Sequence, residues 1–169
     1  MRKVISEMIA ATEAFRVVGT ARNGLDALKQ IHALEPHIVT LDIEMPELDG
    51  IQTLGYIMSE TPRPVVMLSA AASGTGEDLT IRALELGAVD FVRKPSGPIS
   101  LDLESVRERL LDALRAATQV NLGGVGMLAR PRLNVARGTL GAAVSGQGLV
   151  YTPGPMRAVA IAASTGGPR

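Results

Sequence analysis

The segment Ile38-Val39-Thr40-Leu41-Asp42-Ile43-Glu44-Met45-Pro46-Glu47-Leu48-Asp49-Gly50 constrains this chain more than any other. It opens as a short apolar run just after Pro36, the pattern of a strand buried on both faces. The run ends on an aspartate and breaks into a loop punctuated by proline and glycine. In an open parallel α/β sheet, ligands gather beyond the carboxyl ends of the strands. A carboxylate at that end can bind a metal or accept a group. An isolated aspartate there would more simply cap the next turn.

The rest of the chain supplies the matching pattern. Val4, Ile5, Met8 and Ile9 form one stripe of a helix over residues 1–12. Phe15 to Ala21 reads as a strand. Asn23 caps a helix with Asp26 in its first turn, and Leu25, Leu28, Ile31 and Leu34 form its expected buried face. A helix over about 51–59, a strand from Pro64 to Ser69 and a loop from Ala70 to Gly76 follow. Glu77 to Leu86 is helical with Gly87 as its C-cap, and Ala88 to Val92 is a strand running into Arg93-Lys94-Pro95. Leu103, Val106, Leu110 and Leu114 then mark an amphipathic helix with Arg107, Glu108 and Arg109 on its wet side. Strands alternating with helices predict an α/β fold with a doubly wound parallel sheet.

Asp42, Met45-Pro46 and Asp49-Gly50 stand at the spacing of the phosphoacceptor loop of response-regulator receiver domains, and the chain resembles that family. The resemblance implies a flavodoxin-like fold over residues 1–117, with Asp42 phosphorylated by a chemotaxis histidine kinase. It further implies that Ser69 bonds a phosphoryl oxygen, that Lys94 pairs with the phosphoryl group, and that Phe91 is the switch aromatic. Each ends a strand or lies near its end. Pro95 is expected to be cis, aiming Lys94 inward. Mg²⁺ is the implied cofactor, with Asp42 and the backbone carbonyl of Glu44 as ligands. The family opens on a strand whose end carries the remaining acidic ligands. That strand is expected to be missing here, leaving Phe15–Ala21 and Ile38–Leu41 to face a gap. His32 and His37 are expected on the surface.

From 118 to 156 the periodicity gives way to Gly, Pro, Ala and scattered Arg, which reads as a flexible linker. Residues 157–169 then read as the first strand of a second α/β domain. Ala158-Val159-Ala160-Ile161-Ala162 leads into Ala163-Ser164-Thr165-Gly166-Gly167-Pro168, a strand, a sharp turn and a helix start. Such a turn can cradle a phosphate, present Ser164 as a nucleophile, or simply reverse the chain. A receiver, a linker and this string in that order resemble the chemotaxis response regulator protein-glutamate methylesterase family. That resemblance implies Ser164 as the catalytic nucleophile, acting without a cofactor on methyl esters of methyl-accepting chemoreceptors, with deamidation of receptor glutamines as a further activity. The family's triad His and Asp would follow Arg169.

Composition narrows the partners. The 17 basic and 17 acidic residues cancel, so no global field favours nucleic acid or an anionic membrane. Only two Tyr and two Phe are present, too few for base stacking. There is no cysteine, hence no disulfide scaffold or thiolate metal site. No apolar run reaches the ~18 residues of a membrane span, and no signal peptide opens the chain, so a cytoplasmic protein is expected. The competing class is a non-enzymatic receiver driving a DNA-binding or protein-interaction module. It calls for a helix with clustered Lys and Arg after residue 118, and the sequence shows none.

Overall fold

The computed structural model describes residues 2–69, 76–94, 103–120 and 156–161, and for 76–78 and 156–161 the backbone alone. Elements alternate along the chain: α1 (Arg2–Ala10), β1 (Phe15–Thr20), α2 (Gly24–Leu34), β2 (Ile38–Asp42), α3 (Gly50–Glu60), β3 (Val65–Ser69), α4 (Gly76–Glu85), β4 (Asp90–Arg93), α5 (Leu103–Thr118) and β5 (Met156–Ile161). The strands form one parallel sheet in the order β1-β5-β2-β3-β4.

Alternate residues of the strands feed two separate cores. Val39, Leu41, Val65 and Met67 face one layer with Ala27 and Ile31 of α2 and Leu54, Ile57 and Met58 of α3. Ile38, Val66, Leu68 and Val92 face the other, with Ile5, Met8 and Ile9 of α1 and Leu110 and Leu114 of α5. All five residues of β2 are buried, as a run without polar alternation requires. Burying Ile38, Val39 and Leu41 contributes on the order of 5–9 kcal/mol, which offsets the cost of drawing Asp42 inside with them.

Two expectations need correction. Leu25 is 48% exposed, whereas Ile31 of the expected face is fully buried, Leu28 and Leu34 are partly buried, and Gly24 and Ala27 complete the inward stripe. Gly24, next to Leu25 in the chain, faces inward and packs too closely on Leu48 and Thr53 to admit a larger side chain. The second correction concerns the expected gap. The backbone of Met156–Ile161 lies between β1 and β2 and pairs in parallel with both, so neither strand faces an empty slot. Its apolar sequence suits a central position, which the reading of local patterns assigned only to a second unit. The expected cis Pro95, the linker and the Ser164 turn lie outside the described residues.

Candidate functional site

β2 ends in Asp42 and β3 in Ser69, and Lys94 directly follows β4, so the three lie at the same edge of the parallel sheet. Asp42 is fully buried and closes β2. Its register partner on β3 is Leu68, one residue before Ser69, and the Lys94 amide donates to the Ser69 carbonyl at 2.8 Å. That main-chain bond continues the ladder past Arg93 and carries Lys94 to the level of Asp42. The Lys94 ammonium then donates to both carboxylate oxygens, at 2.9 Å to Oδ1 and 3.0 Å to Oδ2. The lysine side chain is only 10% exposed. The Glu44 amide donates a further bond to Oδ1 at 3.1 Å.

Burial drives the Asp42 carboxyl above the ordinary aspartate range, because a charged group loses its water. The hydrogen bond and charge of Lys94 pull in the opposite direction and do not fully compensate. The carboxylate is therefore held in place at a cost, which is common where reactivity is needed.

The loop after β2 is built to hold this geometry. Asp49 caps α3 by accepting from the Gln52 amide at 2.7 Å, and the Gly50 amide returns to the Ile43 carbonyl at 2.9 Å. The sequence shows Asp49-Gly50 only as a motif; the structure supplies its reason. A Cβ at Gly50 would lie 2.1 Å from the Asp42 carbonyl oxygen and 2.7 Å from Ile43 Cα. Both are backbone, so neither can swing away. Gly50→Ala is expected to cost about 3 kcal/mol in urea unfolding, at the upper end for overpacking. Glu47, in the same loop and exposed, adopts φ 66°, the left-handed region. Glu47→Gly should stabilise by roughly 0.5 kcal/mol, the relief of about 1–2 kcal/mol of strain less the added freedom of the unfolded chain.

Phe91 is half-buried on β4, opposite Met67, and packs against the core shared with α2 and α3. His32 and His37 are exposed, and His32 sits 3.4 Å from Glu60 on α3, a surface pair away from that edge of the sheet. Among the described residues, no group of three or more His, Cys, Asp or Glu could hold a metal. One carboxylate beside main-chain oxygens is still a donor set that Mg²⁺ accepts, since that ion keeps several waters and takes its other oxygens from a phosphate. No helix among the described residues is long and apolar enough to cross a membrane. The contribution that sequence reasoning missed is the Glu44 amide on Asp42, a main-chain group that no residue type announces.

Residues 1–104 match the model of the response regulator receiver domain. The chain is 42% identical over 170 residues, its whole length, to a protein-glutamate methylesterase/protein-glutamine glutaminase of Bacillus licheniformis, of which it spans 46%. It is 52% identical over 122 residues to the protein of that name in Halalkalibacterium halodurans, covering 72% of this chain and 35% of that one. The chain thus spans less than half the length of these relatives. Among solved structures, the response regulator domain of Thermotoga maritima CheB matches with a TM-score of 0.64 and 42% identity, over 72% of this chain and 90% of that one. With an acidic strand end, a lysine on both its oxygens and these similarities, the chain belongs to the response regulator receiver family and is similar, within it, to the receivers of chemotaxis methylesterases.

Proposed function

We propose that this chain is the phosphorylation-controlled part of a protein-glutamate methylesterase, with Asp42 as phosphoacceptor. The observation that carries the reading is the buried Asp42–Lys94 pair at the carboxyl end of β2, in a chain similar along its length to proteins of that name. Oδ1 accepts from both Lys94 and the Glu44 amide, whereas Oδ2 accepts from Lys94. Oδ2 is therefore the freer nucleophile. It attacks phosphorus as the bond to the donor's leaving group breaks, and the Lys94 ammonium shifts from the carboxylate to the phosphoryl oxygens. Ser69, at the end of the neighbouring strand, offers its hydroxyl to the same oxygens. Asp42 and the Glu44 carbonyl would hold Mg²⁺, which would neutralise charge on the transferred group.

Withdrawal of Lys94 and Ser69 toward the phosphoryl group loosens the ends of β3 and β4, which lets Phe91 repack against its core neighbours. The donor is a chemotaxis histidine kinase. In the whole protein, Ser164 is the nucleophile toward glutamate methyl esters of chemoreceptors, with receptor glutamines as amide substrates. The first test is incubation of the chain with Mg²⁺ and acetyl phosphate, followed by peptide mapping. Acid-labile phosphate on the peptide spanning 38–50 is expected; phosphate on another peptide, or none, overturns the assignment. The second is methanol release from methylated receptor by full-length protein. Phosphorylation should raise it and Ser164→Ala should remove it, whereas undiminished turnover in the alanine variant would place the nucleophile elsewhere.

A further inference from the structure

We propose that Gly24 and Thr53 are positioning residues for the phosphoryl site: together they brace the loop between β2 and α3 that aims the Glu44 amide at Asp42. The proposal rests on Asp42 as phosphoacceptor, because the carboxylate oxygen left without that amide is the one that attacks. The loop needs such a brace. Glu47 lies in the left-handed region, and the Leu48 amide closes a three-residue turn around it by donating to the Pro46 carbonyl at 2.8 Å. A turn of this kind with φ above zero is strained, and it persists only where its surroundings hold it.

The support comes from α2. A Cβ at Gly24 would lie 2.1 Å from Thr53 Oγ1, 2.6 Å from the Leu48 carbonyl oxygen and 2.9 Å from Leu48 Cβ, so the bare Cα of the helix start sits directly against the loop and α3. The start of α2 is itself fixed. Asn23 Oδ1 accepts from the Asp26 amide at 2.8 Å and Asp26 Oδ2 accepts from the Arg22 amide at 3.0 Å, a reciprocal pair that leaves the first turn little freedom. Thr53 carries the contact onward. It is fully buried, and its hydroxyl and its amide both donate to the Asp49 carbonyl, at 2.7 Å and 2.9 Å. The next residue, Gly50, donates its amide to the carbonyl of Ile43, which directly precedes Glu44. From α2 to the carboxylate, each link is a contact or a hydrogen bond between neighbours.

Four variants test the brace. Gly24→Ala drives a methyl group into Leu48 and Thr53. Thr53→Val keeps the shape and removes the hydroxyl, whereas Thr53→Ser keeps the hydroxyl. Gly55→Ala, also in α3, is the control, because a Cβ there meets nothing within 4 Å. With acetyl phosphate and Mg²⁺, uptake should slow by at least about tenfold in Gly24→Ala and roughly threefold to tenfold in Thr53→Val, and stay within about twofold of the unsubstituted rate in Thr53→Ser and Gly55→Ala. The acid limb of the uptake profile should move to higher pH in the two slowed variants, because the Glu44 bond is one of the influences that lower the Asp42 pKa; a loss of stability alone would not move it. Hydrogen exchange gives a reading free of phosphate. The Glu44 amide should exchange at least about tenfold faster in both slowed variants, while the amides of Val39–Leu41 keep their protection. Uptake in Gly24→Ala and Thr53→Val equal to that in Gly55→Ala overturns the brace, and so does Glu44 exchange unchanged by either substitution, or a Thr53→Ser variant as slow as Thr53→Val. Should Gly24→Ala fail to fold, Thr53→Val and Thr53→Ser decide alone. If the unsubstituted chain takes up no phosphate, the phosphoacceptor reading falls, and the Glu44 exchange still decides the brace.

Discussion

Asp42→Asn is expected to abolish phosphate uptake from acetyl phosphate while leaving the chain folded. The amide keeps the size of the carboxylate and still accepts, through its oxygen, a hydrogen bond from the Lys94 ammonium or the Glu44 amide. It lacks the negative charge and the second oxygen that attack phosphorus, so uptake should fall below about a hundredth of the unsubstituted rate, a loss exceeding 2.7 kcal/mol of barrier stabilisation. Circular dichroism and urea unfolding of the variant separate loss of chemistry from loss of fold. An Asn variant that still gains acid-labile phosphate at the same rate would remove Asp42 from the reaction. Stability should not collapse, because burial already disfavours the ionised carboxyl and the amide escapes that cost.

Lys94→Met is expected to be the most destabilising change at the site, by about 3–4 kcal/mol at neutral pH. Methionine replaces the aliphatic stem of lysine but leaves the fully buried Asp42 carboxylate without its cation. The loss has a ceiling, since the carboxyl can protonate instead. That costs about 1.4 kcal/mol for each of the roughly three pH units between an ordinary aspartate and pH 7. The sign of the pH dependence follows. Asp42 already titrates above its unfolded value, so its ionised form counts against the fold and the penalty disappears as pH falls through the folded pKa. Removing Lys94 takes away the influences that lower that pKa and raises it further. The deficit relative to the unsubstituted chain is therefore largest near neutrality and narrows on acidification. Urea midpoints between pH 7 and pH 4 measure it; a deficit that stays constant or widens as pH falls would mean that the two side chains are not electrostatically coupled.

The sequence by itself determined what depends on neighbours along the chain. The unbroken apolar run Ile38–Leu41 carries its own burial, Asn23 its own cap, and the stripes of α1 and α5 their own inward faces, because helix and strand periods are local properties. The spacing of Asp42, Ser69 and Lys94 could be matched to a family because each ends a separate strand. Tertiary structure alone decided the rest. The 2.9 Å contact joins residues 52 positions apart, and the bond from the Glu44 amide depends on how the chain turns after β2. Leu25 faces water because the start of α2 is set by how closely Gly24 approaches Leu48 and Thr53, a contact between elements. The place of Met156–Ile161 shows the same limit most clearly. A run of alanine, valine and isoleucine specifies a buried strand, but an apolar pattern names no partner; β1 and β2, each needing a strand at its inner edge, chose it.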